Sequence, residues 1–351
     1  MKTIVTHSNY PVLNQASNML RGIGDKTVKD FLNQMHTLAR VSELKGLRLV
    51  SSEAFAVESV DGFLFIDCPK PNDLFFASAQ RTQKPLFLMV WESDLINNEN
   101  HNKEMQEIFD IIFTYNDLIV DNKKIFKAAY NFDFSERQIY RGDSFNRDLL
   151  CLISSNNYIN RPGELYSLRR KLVDWYSENF PECFHLYGRG WGKIIPPRNF
   201  FDKLYNKFPI LHPLVSKYNK CYRGEVDSKI TVGLNYKFQI CFENMSSPVG
   251  YVSEKLFHAI FSDSVPIYLG AENIKKLVPY ECFIDFREFE SFSGLHEFLI
   301  KMDRYTYLKY LDNAKEFLSS TASEVFNTDY FSNSVSDILI KRLSTTRAIE
   351  R

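Results

Sequence analysis

The sequence lacks the features that mark several classes of protein. Its longest unbroken apolar run, residues 86–91, is six residues long, far short of the roughly 20 that a membrane-spanning helix needs. The N-terminal residues MKTIVTHSNY contain no long apolar stretch and no small-residue cleavage site, so we expect no secretory signal there. Because 43 basic residues balance 43 acidic ones, the chain as a whole is not charged to bind nucleic acid or an anionic membrane.

Metal and redox motifs are missing as well. The six cysteines form no CxxC pair and several lie in apolar settings, which is typical of reduced core cysteines in a cytosolic protein. The seven histidines form no HxH, HxxH or HExxH pattern, so the sequence does not support a histidine zinc site.

The common nucleotide-binding motifs are weak. The glycine-rich stretch from Gly188 to Lys193 lacks the Walker spacing and its Ser or Thr. No dinucleotide fingerprint follows a first strand. P-loop hydrolases and NAD-dependent oxidoreductases are therefore both disfavoured.

What the sequence does contain is an alternation of short apolar runs with longer amphipathic stretches, the pattern of α/β proteins. The predicted strands are residues 3–6, 47–50, 62–66, 86–91 and 111–114, then 149–154, 183–187, 238–243, 265–269 and 283–285. The predicted helices are residues 27–44, 163–179, 251–262 and 291–302, with a helical tail from 303 to about 342.

This alternation predicts two Rossmann-like domains that face an interdomain cleft. The length of 351 residues fits two domains of ordinary size. The polar stretch 131–148 is the expected boundary, which divides the chain into residues 1–145, 146–330 and a C-terminal helical tail at 331–351.

The segment 236–270 concentrates the residues that carry chemistry. A short apolar run predicts a buried strand that ends at Glu243 and Asn244. A polar loop follows, and a helix is expected to open near Tyr251. On that helix the spacing of Tyr251, Glu254 and Lys255 places them on one face, opposite an apolar stripe that faces the core.

A strand end followed by a helix N-terminus is where an open α/β sheet binds its ligand, and the helix amides there favour an anion. Lys255 in the first turn opposes the helix dipole, so its position favours a bound phosphate. Glu254 can accept hydrogen bonds from sugar hydroxyls, and Asn244 can bind a base, a ribose or a sugar. The alternative is that Glu254 and Lys255 are solvated helix residues, as most such pairs are.

The ordered string of motifs resembles the signature of the α-1,3-fucosyltransferases of glycosyltransferase family 10, bacterial type. The matching segments are YKF at 236–238, FEN at 242–244, YVSEK at 251–255 and VPIYLG at 265–270. Weaker similarity extends over residues 145–195 and around 88–118.

The resemblance implies a GT-B-like architecture in which residues 1–145 bind the acceptor and 146–330 bind a GDP-sugar. It also implies inverting transfer of L-fucose from GDP-fucose to a glycan hydroxyl, with O3 of GlcNAc as the expected position. Glu92, directly after the run 86–91, matches the family's general base. Its alternative is an exposed loop carboxylate.

The remaining site residues follow from the same resemblance. Lys255 and Arg189 are expected to hold the diphosphate and Glu254 the donor hydroxyls, while Tyr251 is either a donor contact or a packing residue. The donor-binding set is Arg189, Lys229, Asn244, Tyr251, Glu254 and Lys255, with Asn156, Arg161 and Arg223 as weaker members. Glycine-turn, loop and helix-cap roles explain Arg189, Asn156 and Arg161 about as well.

No D-x-D motif occurs in the chain, which fits transfer without a metal ion and with no cofactor beyond the donor substrate. The expected partners are GDP-fucose and an oligosaccharide or glycolipid acceptor, such as a lipopolysaccharide or capsule precursor, and no nucleic acid. The expected location is cytoplasmic, and peripheral contact with the inner membrane face stays open.

Two other functions remain open on the sequence. The same fold can use another GDP-deoxyhexose as donor. Alternatively, the chain is a catalytically silent protein that binds a nucleotide or a glycan.

Overall fold

The computed structural model describes residues 1–15, 18–24, 29–54, 59–195, 197, 200–208, 218, 220–246 and 249–349. Contacts divide the chain into two compact units. The first consists of Met1–Asp133, Val249–Tyr251 and Ser323–Arg351, and the second of Phe134–Pro248 and Val252–Ala322. The boundaries between these two structural units do not coincide with the predicted domain boundaries at 145/146 and 330/331. The predicted division into an acceptor-binding and a donor-binding domain stays a prediction.

The first unit is an α/β unit whose sheet, among the described residues, has six parallel strands in the order β2-β1-β3-β4-β5-β6. The strands are β1 Lys2–Ser8, β2 Leu47–Ser51, β3 Gly62–Ile66, β4 Leu86–Met89, β5 Ile111–Thr114 and β6 Ile125–Lys127. The helices are Pro11–Asn14, Asn18–Arg21, Lys29–Leu44, Leu74–Arg81, Lys103–Glu107 and Thr328–Ile349. Every residue of β3, β4 and β5 is buried, as expected for parallel strands covered on both faces.

The C-terminal helix Thr328–Ile349 belongs to this first unit. It packs against the helix Lys29–Leu44, and the hydroxyl oxygens of Ser42 and Ser336 lie 2.8 Å apart at the contact. Small hydroxyl side chains let the two helices approach closely while each oxygen keeps a hydrogen-bond partner.

The second unit has, in its described part, five parallel strands in the order β11-β10-β9-β7-β8. The strands are β7 Asp148–Ile153, β8 Phe184–Tyr187, β9 Tyr236–Phe242, β10 Val265–Leu269 and β11 Ile284–Asp285. The helices are Tyr166–Asn179, Phe200–Tyr205, Lys229–Gly233, Glu254–Phe261, Ile274–Leu277, Phe292–Lys301 and Arg304–Leu318. β9 is the central strand, and its apolar side chains Phe238, Ile240 and Phe242 lie in the main core.

All the predicted strands are found, with ends within two residues of those predicted. The sheet of the first unit also contains an edge strand that was not predicted, Ile125–Lys127. That strand is three half-buried residues long and has no alternating pattern. The helix predicted at 251–262 begins only at Glu254. Residues 27–28, at the predicted start of an earlier helix, and the last two residues of the tail lie outside the described residues.

All six cysteines lie in the described ranges and all are free thiols, five of them buried, which confirms the predicted core thiols. None of the helices that the structure describes combines the length and apolar character needed to cross a membrane.

Candidate functional site

The carboxyl ends of the second unit's strands bring most of the predicted donor residues to one edge of the sheet. β8 lies on one side of β7 and β9 on the other, so the chain reverses its winding direction between β7 and β9. Open α/β sheets bind ligands at such a switch point, outside the carboxyl ends of the strands. The loops that follow β7 and β9 carry Asn156 and Asn244 to this position.

Arg169 joins the two loops at the switch point. Its guanidinium donates to Ser154 Oγ after β7 (3.1 Å), and also to the Glu243 carbonyl (2.5 Å) and Asn244 Oδ1 (3.0 Å) after β9. The backbone N–H of Leu165 donates to the Asn244 carbonyl at 2.9 Å. Asn244 is therefore fixed by contacts on both its side chain and its backbone.

Glu243 carries a wholly buried carboxylate directly after β9. The carboxylate accepts hydrogen bonds from the Ser253 N–H (2.7 Å) and the Ser253 hydroxyl (2.5 Å). The Lys255 ammonium donates to it at 3.2 Å and to Ser253 Oγ at 2.9 Å. A buried carboxylate needs such partners, because burial without them costs several kcal/mol.

Gly270, which follows β10, makes room for this carboxylate. A Cβ at that position would meet Glu243 Cγ at 2.3 Å and the Tyr268 hydroxyl at 2.5 Å, both far inside contact distance. The glycine that closes the VPIYLG segment is thus required by the close approach of Glu243.

Glu254 and Lys229 complete the charged cluster. Glu254 Oε1 lies 3.1 Å from Lys229 Nζ and 3.8 Å from Lys255 Nζ. Burial would raise the pKa of Glu254, yet Lys229 and Lys255 outweigh it and hold that pKa well below its ordinary value. Burial would likewise lower the pKa of Lys255, but Glu254 and Glu243 raise it above its ordinary value. Glu254 and Lys255 are therefore both charged at neutral pH.

The helix Glu254–Phe261 points its N-terminus at this cluster. Ser253 occupies the N-cap position but makes no side-chain cap hydrogen bond within the helix, because its hydroxyl is directed to Glu243. The first-turn amides therefore lack the usual serine cap and remain suited to an anion. Lys229 pairs with Glu254 and Lys255 with Glu243, and the Arg169 guanidinium, bound to the Glu243 carbonyl and Asn244 Oδ1, adds a third cation. Among these five groups one positive charge is in surplus.

Asn156 and Arg189 meet on the other side of β7. The Asn156 N–H donates to the Arg189 carbonyl at 2.8 Å, and its side chain donates to the Gly190 carbonyl at 3.2 Å. The loop after β7 also passes close to Gly188, where a Cβ would meet the Ser154 carbonyl at 2.2 Å. With its φ of +122° as well, this position requires glycine. The Arg189 side chain is exposed and pairs with the exposed Glu225 at 2.9 Å.

The two other weaker candidates, Arg161 and Arg223, are both exposed and lie on different segments of the second unit. Arg161 is exposed on the loop that pairs with the one after β9, where Glu164 bridges to Met245. Arg223 is exposed beside β8 and donates to the Lys220 carbonyl at 2.7 Å. Arg161 thus lies on the loop that contacts the segment after β9, whereas Arg223 lies on the β8 side of the sheet.

Tyr251 is placed differently from its prediction. It precedes the helix instead of sharing a face with Glu254 and Lys255, and it belongs to the first unit. Its ring is buried, with edge-to-face contacts to Tyr115 at 5.1 Å and Tyr130 at 5.4 Å between centroids. This position corresponds to the packing alternative that the sequence left open.

Glu92 lies in the first unit, three residues after the end of β4, and its side chain is half-buried. Its N–H donates to the buried carboxylate of Asp67 at 2.9 Å. Burial, followed by the charges of Glu92 and Asp67, raises the pKa of Tyr10 to about 12. Glu92 is thus at the carboxyl edge of its own parallel sheet, as predicted.

Sequence reasoning missed three residues at these positions: Arg169, Glu243 and Asp67. Arg169 is the fourth residue of the helix Tyr166–Asn179, but the sequence predicts a helix start at 163, which places Arg169 beyond the first turn and hides its conflict with the dipole. Glu243 stands inside the FEN segment, but nothing local shows that its carboxylate is buried. Within the described ranges no group of three or more His, Cys, Asp or Glu could hold a metal ion. Metal independence stays a prediction.

Comparison with known proteins adds the family. Residues 199–344 match the model described as glycosyltransferase family 10 (fucosyltransferase), C-terminal domain. The chain carries a family 10 glycosyltransferase domain. Over 122 residues it is 34% identical to an α-(1,4)-fucosyltransferase of Arabidopsis thaliana, across 32% of this chain and 30% of that relative. Over 247 residues it is 36% identical to 4-galactosyl-N-acetylglucosaminide 3-α-L-fucosyltransferase 9 of Bos taurus, across 68% of this chain and 56% of that relative.

The chain thus spans less than two thirds of the length of these curated relatives. A crystal structure of an α1,3-fucosyltransferase superposes with a TM-score of 0.53 at 14% identity, covering 94% of this chain and 91% of the other. At that identity the match concerns the fold alone. It confirms the predicted GT-B type, with two parallel-sheet α/β domains and a helical C-terminal end.

Proposed function

We propose that this chain transfers L-fucose from GDP-fucose to a hydroxyl of a glycan acceptor, with inversion at the anomeric carbon. The observation that carries the proposal is the position of the Lys255 ammonium. This ammonium lies in the first turn of a helix at the sheet's switch point, held by the wholly buried carboxylate of Glu243. The family 10 domain at residues 199–344 supports the choice of donor class.

The charge of the cluster suits a nucleoside diphosphate. Lys229, Lys255 and Arg169 carry one positive charge more than Glu243 and Glu254 compensate. A diphosphate placed before the helix amides adds negative charge where the cluster and the helix dipole both favour it. Since Glu243 and Ser253 take two of the three Lys255 N–H donors, the ammonium is oriented before any ligand binds.

Arg189 can join the diphosphate at little cost. Its ion pair with Glu225 is exposed on both sides, and such pairs contribute only about 0–1 kcal/mol. A phosphate can therefore replace Glu225 as the partner, and a guanidinium binds it with two parallel hydrogen bonds. In the proposal Glu254 contacts donor hydroxyls and Asn244 contacts the nucleoside, with Asn156 and Arg161 on the neighbouring loops.

The proposed reaction needs one proton acceptor and one charge stabiliser. Glu92 takes the proton of the attacking hydroxyl while the acceptor oxygen forms a bond to the anomeric carbon. The bond from that carbon to the diphosphate oxygen breaks on the opposite face, and its electron pair leaves with GDP. Lys255 and Arg189 stabilise the charge that develops on the departing diphosphate.

The acceptor of the proposed transfer is a glycan hydroxyl. O3 of a GlcNAc residue is the proposed position, in a lipopolysaccharide or capsule precursor. The proposed location of this transfer is the cytoplasm, with or without peripheral contact at the inner membrane face.

The experiment compares GDP-fucose with GDP-mannose as donors, following both hydrolysis and transfer, and measures GDP binding by calorimetry. Turnover of GDP-fucose supports the proposal. Turnover of GDP-mannose alone indicates another GDP-hexose enzyme. GDP binding without any turnover indicates a catalytically silent nucleotide-binding protein.

A further inference from the structure

The backbone of Glu92 is held on both sides by two buried side chains. Asp67 Oδ1 accepts from the Trp91 N–H at 2.7 Å and from the Glu92 N–H at 2.9 Å. Asn100 Nδ2 donates to the Glu92 carbonyl at 2.8 Å and to Asp67 Oδ1 at 2.8 Å. One carboxylate oxygen and one amide thus fix the two peptide groups that flank the Glu92 side chain.

This arrangement is fixed in its turn by the strands. The Asp67 N–H donates to the Met89 carbonyl at 2.8 Å, and the Cys68 N–H donates to Asn100 Oδ1 at 2.7 Å. Asp67 is 3% exposed and Asn100 is fully buried. Buried polar groups in a satisfied network of this kind are rigid, because each lost hydrogen bond would leave an unpaired group.

Asp67 also adopts a backbone conformation that a side chain rarely takes. Its φ is +61°, in the left-handed region, which costs a non-glycine residue on the order of 1 kcal/mol or more. A glycine would adopt this conformation without cost, but it would supply no acceptor for the Trp91 and Glu92 N–H groups. The advantage of aspartate at this strained position is therefore its carboxylate, which accepts both of these hydrogen bonds.

We infer that Asp67, assisted by Asn100, is the positioning residue for the general base Glu92. The inference rests on the proposed function, in which Glu92 takes the proton of the acceptor hydroxyl. A general base works only within hydrogen-bond reach of its proton, and a misplacement of about 1 Å costs roughly 100-fold in rate. Asp67 itself touches no substrate in this account.

The test uses two substitutions that both tolerate a positive φ. Asp67→Gly removes the acceptor, whereas Asp67→Asn keeps a carbonyl oxygen that can still accept from the two N–H groups. Asp110→Asn is the matched control, because Asp110 accepts from the Leu86 N–H at 2.9 Å at the opposite end of β4. Glu92→Gln runs in parallel to report on the base itself.

We expect Asp67→Gly to lower kcat by about 100-fold, with the KM for GDP-fucose and the affinity for GDP unchanged, because only the base moves. Asp67→Asn should recover most of that loss, and Asp110→Asn should keep the wild-type kcat. Hydrogen–deuterium exchange over residues 90–93 should rise in Asp67→Gly and stay low in Asp67→Asn.

Two results would overturn the inference. One is a wild-type kcat in Asp67→Gly although exchange at residues 90–93 has risen. The other is a parallel fall in kcat, GDP affinity and thermal stability in Asp67→Gly, because such a combined loss would indicate a merely structural role. Full activity of Glu92→Gln would instead refute the assignment of Glu92 in the proposed function, and the exchange data would still report on the Asp67 contacts.

Discussion

The ammonium of Lys255 lies 3.2 Å from the carboxylate of Glu243, whose side chain has no solvent exposure. Replacing such a buried pair with apolar residues often leaves stability unchanged or improved, while breaking it is costly. The contact is thus better explained by the geometry that it imposes than by net stability. Here it fixes a cation at a helix N-terminus, where an unassisted lysine would be repelled by the dipole.

A double-mutant cycle tests this coupling. Glu243→Gln leaves the Lys255 ammonium without its buried partner, so we expect the free energy of unfolding to fall by about 3–5 kcal/mol. Lys255→Met should cost a similar amount, and the double variant should be more stable than the sum of the two losses predicts. Urea unfolding of the four proteins supplies the free energies. Additive losses would contradict a direct interaction between the two charges.

Removing the Lys255 charge should weaken nucleotide binding. We expect Lys255→Ala to lower GDP affinity by about 1–3 kcal/mol, roughly 5- to 150-fold in Kd, the scale of a lost charge-assisted contact. Lys301→Ala is the control, because Lys301 is an exposed lysine of the same unit that pairs with the exposed Glu297 at 3.1 Å. Calorimetric titration with GDP measures both. Equal affinity in wild type and Lys255→Ala would remove the diphosphate assignment.

The lowered pKa of Glu254 predicts how stability depends on pH. Since that pKa lies below its ordinary value of 4.5, the unfolded chain binds the proton first as the solution is acidified. The stabilisation is therefore present above about pH 4.5 and is lost as the pH falls through the folded-state value.

Glu254→Gln should remove this contribution. The difference in the free energy of unfolding between wild type and Glu254→Gln should be largest near neutral pH and should shrink on acidification. Glu297→Gln is the control, because it removes an exposed carboxylate 3.1 Å from Lys301, a kind of pair that contributes only about 0–1 kcal/mol. A difference that stays constant from pH 7 to pH 3 would mean that Glu254 is not held ionised by its partners.

The general base should affect chemistry and not donor binding. We expect Glu92→Gln to abolish transfer while GDP affinity stays near wild type, because the amide cannot take the acceptor proton. Glu104→Gln, an exposed carboxylate in the helix Lys103–Glu107, should keep full activity. Single-turnover rates together with GDP titrations separate the two effects. Substantial transfer by Glu92→Gln would require a different base.

The central strands could be read from the sequence because burial on both faces leaves almost uninterrupted apolar runs, as in β3 and β10. The helix start at 254 was missed for a local reason. Tyr251 and Val252 continue the apolar period, so they were counted as helical, although Ser253 is an ordinary N-cap residue. At this position the N-cap residue Ser253 indicates the start of the helix better than the apolar periodicity does.

The charged contacts could be predicted only in part. Lys255 was found because a cation in a first helical turn conflicts with the dipole, a property visible in one segment. Its partner Glu243 was not found, because the space for that carboxylate depends on Gly270 at the end of another strand. Asp67 is a similar case, since its hydrogen bonds reach segments around 91 and 100 that only the folded sheet brings together.

Fucosyl transfer itself is tested by incubating a panel of glycan acceptors with GDP-fucose and determining the product linkage by NMR. We expect a new α-L-fucoside on a GlcNAc-containing acceptor, attached at O3, with GDP released in equal amount. Unchanged GDP-fucose across the whole panel, in a preparation that still binds GDP, would contradict this expectation.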